Sequence, residues 1–360
     1  MNVLNIGTGG TGNKLLDTFM DLLDNSENVL QSVYDGVFVN SNINEMKRLK
    51  HYNSTINGLA INGGGTGRNQ DVAQESISKD RSKFINFLAN KTDNYDVASI
   101  YLASGGGFGG GSLTTLTNVL RHLNSKLAIN LVVAMPALSE GKTTIGNALK
   151  LHSKITKLRV QGVVNSYQYI DNDKMQNEDE FNKLCMKLIL DSYELQEGAV
   201  DINDTKMINS ANKYKVILPL ADKFKSLVDA VDYSMDNSPF VMPNNLDCSY
   251  MGGIFEKGIY DKDEWKELFK AKMWGKTDYG SKNLMVLGGV TSPDEYIQTL
   301  QEAYDNMKDE ELEDEEKVFE FRENGSKNKS NNTTSKDTNK EEPVATKQKL
   351  RDMMNADFWS

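Results

Sequence analysis

Three clusters in this chain have the residue types to hold phosphate oxygens. They are Gly7-Thr8-Gly9-Gly10-Thr11-Gly12-Asn13, Gly63-Gly64-Gly65-Thr66-Gly67-Arg68-Asn69 and Gly105-Gly106-Gly107-Phe108-Gly109-Gly110-Gly111-Ser112. Glycine has no Cβ, so its backbone N–H can approach an anion closely. No acid or base able to activate water is evident in these loops. Such groups occur far downstream, in the polar turn Asp201-Ile202-Asn203-Asp204. Gly141-Lys142-Thr143 imitates the end of a P-loop, but that motif needs glycine five residues before Gly141 and position 136 is proline. Proline has no N–H to donate, so the P-loop reading fails.

The elements around the loops decide whether they are linkers or sites. Residues 97–102 are apolar and β-rich, and after the third cluster Leu113, Leu116, Leu120 and Leu123 recur at helical spacing. Ser112 is expected to N-cap that helix. The first cluster sits likewise between a strand at 3–6 and a helix facing inward through Leu15, Leu16, Phe19, Leu22 and Leu23. The second follows a β-like stretch at 56–61 and precedes a helix expected to run to about residue 90. Strand, glycine loop and helix in succession place a helix N-terminus, with unpaired N–H groups and partial positive charge, beside the loop. In a parallel sheet all such loops gather at the carboxyl edge, where together they could wrap one nucleotide.

A further strand at 36–39 ends in Asn40-Ser41-Asn42, where a dinucleotide-binding protein would want Asp or Glu for the ribose. Downstream the pattern predicts a strand at 129–135, a helix at 143–158, a strand at 162–170 ending in Asp171-Asn172-Asp173, and a long helix over 178–197 closed by Gly198. Cys185 on that helix reads as a small core residue. From about residue 206 the style changes to strands at 216–220 and 284–287 with a helix around 263–273, a smaller α+β domain. Ser292-Pro293-Asp294-Glu295 reads as a capping box opening a helix through Tyr296, Leu300, Tyr304 and Met307 into the charged block 309–316. Residues 324–346 are polar and low in complexity, which predicts disorder. The end regains amphipathic character, with Lys347, Lys349, Arg351, Phe358 and Trp359.

The chain has 360 residues, room for two domains, and a net charge of -10, which argues against coating nucleic acid. Two cysteines and three scattered histidines make neither a disulfide framework nor a metal cluster. The chain opens directly in a strand, and no apolar run is long enough to span a bilayer. A cytoplasmic protein without membrane contact is expected.

The order of these loops resembles the tubulin/FtsZ GTPase superfamily. Residues 105–111 resemble the GGGTGTG-like tubulin signature, departing at Phe108 and Gly110 where threonines are usual. Residues 7–13 resemble the first FtsZ loop, and residues 63–72 the third loop, GxGxGxNPEV, with Gln70-Asp71 for Pro-Glu. Pro136, Glu140 and Gly141 are similar to the ribose loop PFxFEG. Asn172-Asp173 resembles the pair that reads guanine, and Phe181 falls where a helix aromatic stacks on the base. The resemblance covers roughly residues 1–310. The divergent loops, the final helix and the polar tail are most similar to the TubZ branch, which segregates plasmid or phage DNA.

The resemblance implies an α/β fold with a Rossmann-like GTP-binding domain over 1–176 and a central helix with its acidic loop over 177–205. An α+β domain follows over 206–291, then a helix over 292–323 and a flexible tail over 324–360. It implies binding of GTP or GDP, with Mg2+, through Gly7, Thr8, Gly9, Gly10, Thr11, Asn13, Asn40, Gly65, Thr66, Gly67, Gly105, Gly106, Gly107, Phe108, Gly109, Gly110, Glu140, Asn172 and Phe181. In the superfamily the next subunit inserts a loop of pattern GxxNxDxxD/E to complete hydrolysis. Residues 198–206 resemble that loop with Asn and Asp interchanged and Lys206 in place of the last acid, so Asp201, Asn203 and Asp204 are expected to position the water as a group. Head-to-tail filaments follow, and the tail is expected to engage an adaptor protein at centromere DNA rather than DNA itself. Two rivals remain at this stage: an NAD-type dehydrogenase, which explains residues 7–12 alone, and a scaffold that holds GTP without splitting it.

Overall fold

Strand and helix patterns alternate along the first half of the chain, which calls for a parallel sheet covered on both faces. The computed structural model describes residues 1–26, 30–61, 64–89 and 91–307. In chain order the first elements are β1 (Asn2–Thr8), α1 (Gly9–Asp24), β2 (Val33–Asn40), α2 (Ile43–Met46), β3 (Gly58–Ala60), α3 (Gln70–Lys79) and α4 (Arg81–Ala89). Next come β4 (Val97–Ala103), α5 (Phe108–Leu123), β5 (Ala128–Met135), α6 (Lys142–Val160), β6 (Ser166–Asp171), α7 (Glu178–Tyr193) and α8 (Ile202–Asn209). The remainder is β7 (Lys213–Pro219), α9 (Leu227–Asn237), β8 (Cys248–Phe255), α10 (Trp265–Leu268), β9 (Ala271–Tyr279), β10 (Leu284–Val290) and α11 (Asp294–Asn306).

The strands form one sheet in the order β3-β2-β1-β4-β5-β6-β7-β10-β8-β9. From β3 to β7 every neighbour pair is parallel. β10 runs antiparallel to both β7 and β8, and β9 lies parallel to β8. The join between β6 and β7 is narrow, only Ser166↔Lys213 and Tyr167↔Tyr214. Every residue of β5 is buried, as a central strand with helices on both faces requires. The core lies in two layers, one on each side of the sheet. Leu113, Leu116 and Leu120 of α5 fill the first, and Leu15, Leu16 and Phe19 of α1 the second with Cys185 and Ile189 of α7. Each of the three α1 side chains is at most 1% exposed, worth about 1.5–3 kcal/mol apiece as an upper figure.

Several boundaries differ from the sequence pattern. The helix expected to run to about residue 90 is two helices, because the chain turns at Asp80, whose carbonyl accepts Phe84 N–H at 3.0 Å. The helix expected over 178–197 ends at Tyr193, and Gly198 sits in the following turn at φ +58. The expected helix around 263–273 shrinks to the single turn α10. The residues after it form β9, whose pairing with β8 overrides the local helical pattern. Ser292 does not cap α11: Pro293 takes the cap position, no side-chain cap bond forms, and Asp294 N–H goes to the backbone carbonyl of Ser292. The charged block, the polar tail and the amphipathic end lie outside the described residues.

Candidate nucleotide site

The carboxyl ends of β1, β2 and β4 open onto a cavity of about 390 Å3, lined by residues of all three glycine clusters. It adjoins a second of about 200 Å3, and the two share Thr11, Arg68, Ala103 and Gly106. Thr8, Gly9, Gly10, Thr11, Asn40, Gly65, Thr66, Gly67, Gly106, Gly107, Phe108 and Gly109 line the first. Gly105, Glu140 and Asn172 line the second. The loops touch one another as well as the cavity. Gly9 has φ +74, and a Cβ there would stand 3.0 Å from Gly109 N.

The helix starts explain why this wall suits an anion. α5 begins at Phe108, earlier than expected, so the second half of the glycine run is its first turn. Its first intrahelical bond is Gly111 N–H to Gly107 O at 2.9 Å. The preceding N–H groups therefore have no intrahelical partner. Ser112 is inside the helix, not its cap. Its Oγ donates to Gly109 O at 3.0 Å and meets Thr8 Oγ1 at 2.8 Å, pinning the third loop to the first. α1, α5 and α6, whose starts flank the two cavities, all lack a side-chain cap. α2, α3, α7, α8 and α9 are capped by Asn42, Asn69, Asn177, Asp201 and Ser226, α2 at the rim of the first cavity, and α10 and α11, whose starts line neither cavity, have no side-chain cap. The starts of α1, α5 and α6 thus leave backbone donors available to an anion.

Charge in the cleft is sparse. Among the residues lining the two cavities, Glu45, Arg68 and Glu140 alone are ionisable. Glu45 was missed by sequence reasoning. It accepts Asn40 Nδ2–H and Asn42 Nδ2–H, both at 2.9 Å, and its Oε2 stands 3.1 Å from where a Cβ on Gly10 would be. The acid absent directly after β2 is thus supplied by α2, one turn later. Asn42 accepting Asn44 N–H, three residues before Glu45, was the local signal. Arg68 and Thr144 were also missed. Asn172 is presented by a tight turn after β6, and Asp173 beside it accepts Leu138 N–H at 2.9 Å, holding the 137–140 loop.

Other expected site residues lie off the cavity walls. Gly7 is a strand residue, and a Cβ there would strike Asn13 Oδ1 at 2.7 Å. Asn13 is buried and donates to Val39 O at 3.2 Å. Gly110 lies against the side chain of Gln70. Phe181 is 8% exposed in the second core layer and lines neither cavity.

Asp201, Asn203 and Asp204 are brought together, but at the other end of the sheet. α7 starts beyond the carboxyl end of β6 and runs back across the sheet for 16 residues, about 24 Å. Beyond its end, Glu194 accepts Gln31 N–H, Ser32 N–H and Tyr34 O–H, at the amino end of β2. α8 follows there. Asp201 caps it through Oδ1, which accepts Asn203 N–H at 2.8 Å and Asp204 N–H at 2.9 Å. These bonds, that from Asp204 foremost, hold the Asp201 carboxyl below its usual range. Asp204 completes the capping box by accepting Asp201 N–H at 3.0 Å and is paired with Lys276 at 2.7 Å. Lys206, standing where the superfamily pattern has an acid, pairs with Asp96 at 2.6 Å. Burial opposes ionisation of Asp96, yet the bonds from Lys206 and Asn2 N–H outweigh it and its carboxyl lies below the usual range. Ile202 and Met207 on α8 are exposed.

A parallel α/β sheet with a glycine-built cleft at its carboxyl edge defines a nucleotide-binding protein of the Rossmann-like class. Comparison with known proteins narrows this. Residues 2–179 match the Tubulin/FtsZ family, GTPase domain. No curated protein matches the sequence. Among solved structures, Clostridium botulinum phage c-st TubZ, in a tail-truncated form, is similar with TM-score 0.71 at 20% identity, covering 84% of this chain and 96% of that one. The GTPγS-form protofilament of Bacillus thuringiensis serovar israelensis TubZ gives 0.69 at 18%, covering 85% and 91%. CetZ from Methanosaeta thermophila gives 0.66 at 17%, covering 84% and 91%. The chain therefore has the tubulin/FtsZ fold, and its residues 2–179 match the GTPase-domain model of that family. The dehydrogenase reading is thereby displaced. Among the described residues no helix is long and apolar enough to cross a membrane.

Proposed function

We propose that the cleft binds GTP and that hydrolysis is completed by a second copy of the chain, whose α8 docks over the cleft to build a head-to-tail filament. One observation carries this reading: the cleft and the α8 acids lie at opposite edges of one sheet, separated by the length of α7. Within a single subunit they do not meet. Stacking subunits in one direction brings the amino edge of one to the carboxyl edge of the next, a heterologous contact that does not close. The exposed Ile202 and Met207 beside Asn203 and Lys206 give α8 apolar area to bury there. Asp201 is the favoured water-positioning group, because its Oδ2 bears no hydrogen bond among the described residues whereas Asp204 is committed to Lys276. Mg2+ arriving with the nucleotide would find Glu45 as the only carboxylate on the first cavity, and would supply charge neutralisation on the phosphates.

The likeness to phage and plasmid TubZ supports a role in DNA segregation, with residues 324–360 engaging a centromere-bound adaptor. A cytoplasmic location fits that role. The test of the split site is Asp201→Ala. Nucleotide binding should persist while turnover in the polymer falls about 100-fold or more, leaving long-lived filaments in electron micrographs. Unimpaired phosphate release would exclude Asp201. For the tail, deletion of residues 325–360 should leave GTP hydrolysis and polymerisation intact and abolish adaptor binding. Undiminished adaptor affinity in a pull-down would remove that part of the reading.

A further inference from the structure

Arg68 is the sole cation among the residues lining the two cavities. It stands where they meet. Its backbone has φ +62, one of two described non-glycine residues in the left-handed region. Such conformations are retained where the surroundings over-determine them, often at functional sites. Here the surroundings do so: Arg68 O accepts Asn147 Nδ2–H at 2.9 Å, and Nη1 donates to Thr144 Oγ1 at 2.7 Å. Among the described residues no carboxylate pairs with the guanidinium, although Glu140 lines the same cavity. A held, unneutralised guanidinium facing a wall of backbone N–H groups is complementary to a polyanion. Its planar fork suits phosphate oxygens in particular.

We infer that Arg68 is the phosphate-binding cation of this site, supplied by the subunit that holds the nucleotide. It grips the phosphate chain and stabilises the charge that builds up as the terminal phosphoryl group departs, as arginines do in other phosphoryl-transfer sites. The inference rests on the reading of the cleft as a guanine-nucleotide site. It divides the work of the proposed filament contact: the cation comes from the same subunit, the water-positioning acid from the next.

The experiment compares wild type, Arg68→Gln and Arg68→Lys by competition of GTP, GDP and guanosine against a fluorescent guanine nucleotide, with thermal unfolding as the folding control. Arg68→Gln keeps a polar side chain and removes the charge. It should bind GTP at least tenfold more weakly, GDP less so, and guanosine within about twofold of wild type. Arg68→Lys should recover part of the GTP affinity. Equal weakening of all three ligands, or unchanged GTP affinity in Arg68→Gln, would overturn the inference while leaving the cleft as a nucleotide site. Failure of wild type to bind GTP would instead remove the reading on which it rests.

Discussion

The two ends of the sheet are built by opposite means. At the carboxyl edge the cleft is mostly backbone: glycines, uncapped helix starts and three ionisable side chains in the walls of two cavities. At the amino edge α8 is fixed by side chains. Asp201 and Asp204 cap it, Lys276 and Lys206 pair with Asp204 and Asp96, and Lys215 is buried between α7 and α8. The contrast follows from the task each edge performs. A site for a polyanion needs donors that do not titrate and need no reorganisation. A surface offered to another subunit needs side chains that are ordered yet accessible.

The largest effect expected from breaking this division is at the cleft. A Cβ on Gly107 would enter the side chain of Thr66 and stand 2.8 Å from Asn69 N. Gly107→Val should therefore push the second and third loops apart, at a cost of about 1–3 kcal/mol. GTP affinity measured by calorimetry should fall at least tenfold, with the fold retained. Undiminished affinity would show that the two loops do not act on one ligand.

A smaller effect sharpens the other side of the comparison. Lys215 is 3% exposed. Its Nζ reaches Asn209 Oδ1 at 3.1 Å and Ser192 Oγ at 3.5 Å, and among the described residues no carboxylate pairs with it. Burial pulls its pKa from 10.5 down to about 7. The folded state thus favours the neutral amine, and the folding penalty grows as pH falls from about 10 to about 7 and then levels off. Lys215→Met should gain most in unfolding temperature over wild type at pH 6.5, with the gain shrinking towards pH 9. A difference that stays constant with pH would remove the buried lysine from the account. No such dependence is expected of nucleotide affinity through Lys215, because it lies at the other edge.

The same contrast explains what was legible in the sequence. The glycine loops could be read because their function resides in the backbone and is written as consecutive residues between a strand and a helix. Gly65 and Gly106 line one cavity, and Gly106 and Asn172 the adjoining one, because the sheet is parallel, which the alternation of elements already required. The pairs that hold the amino edge were not legible. Lys276 and Asp204 are 72 residues apart, and Lys206 and Asp96 are 110, so no local pattern announces them. Ser112 was misread because the glycines before it form the first helical turn, so that α5 starts five residues early with Gly107 at the cap. β9 was misread because its strand state comes from β8, not from its own residues. Phe181 carries helical spacing that a core residue and a base-stacking residue share, and it is buried in the second core layer without lining either cavity.

The central claim is that one subunit lacks half of its hydrolytic machinery. Steady-state GTP turnover per molecule, followed from dilute to concentrated protein, tests it most directly. The account predicts a rate near zero below a threshold concentration and a rise as subunits begin to stack. A rate per molecule that stays flat across the series would show that an isolated subunit cleaves GTP unaided, and the split site would be wrong.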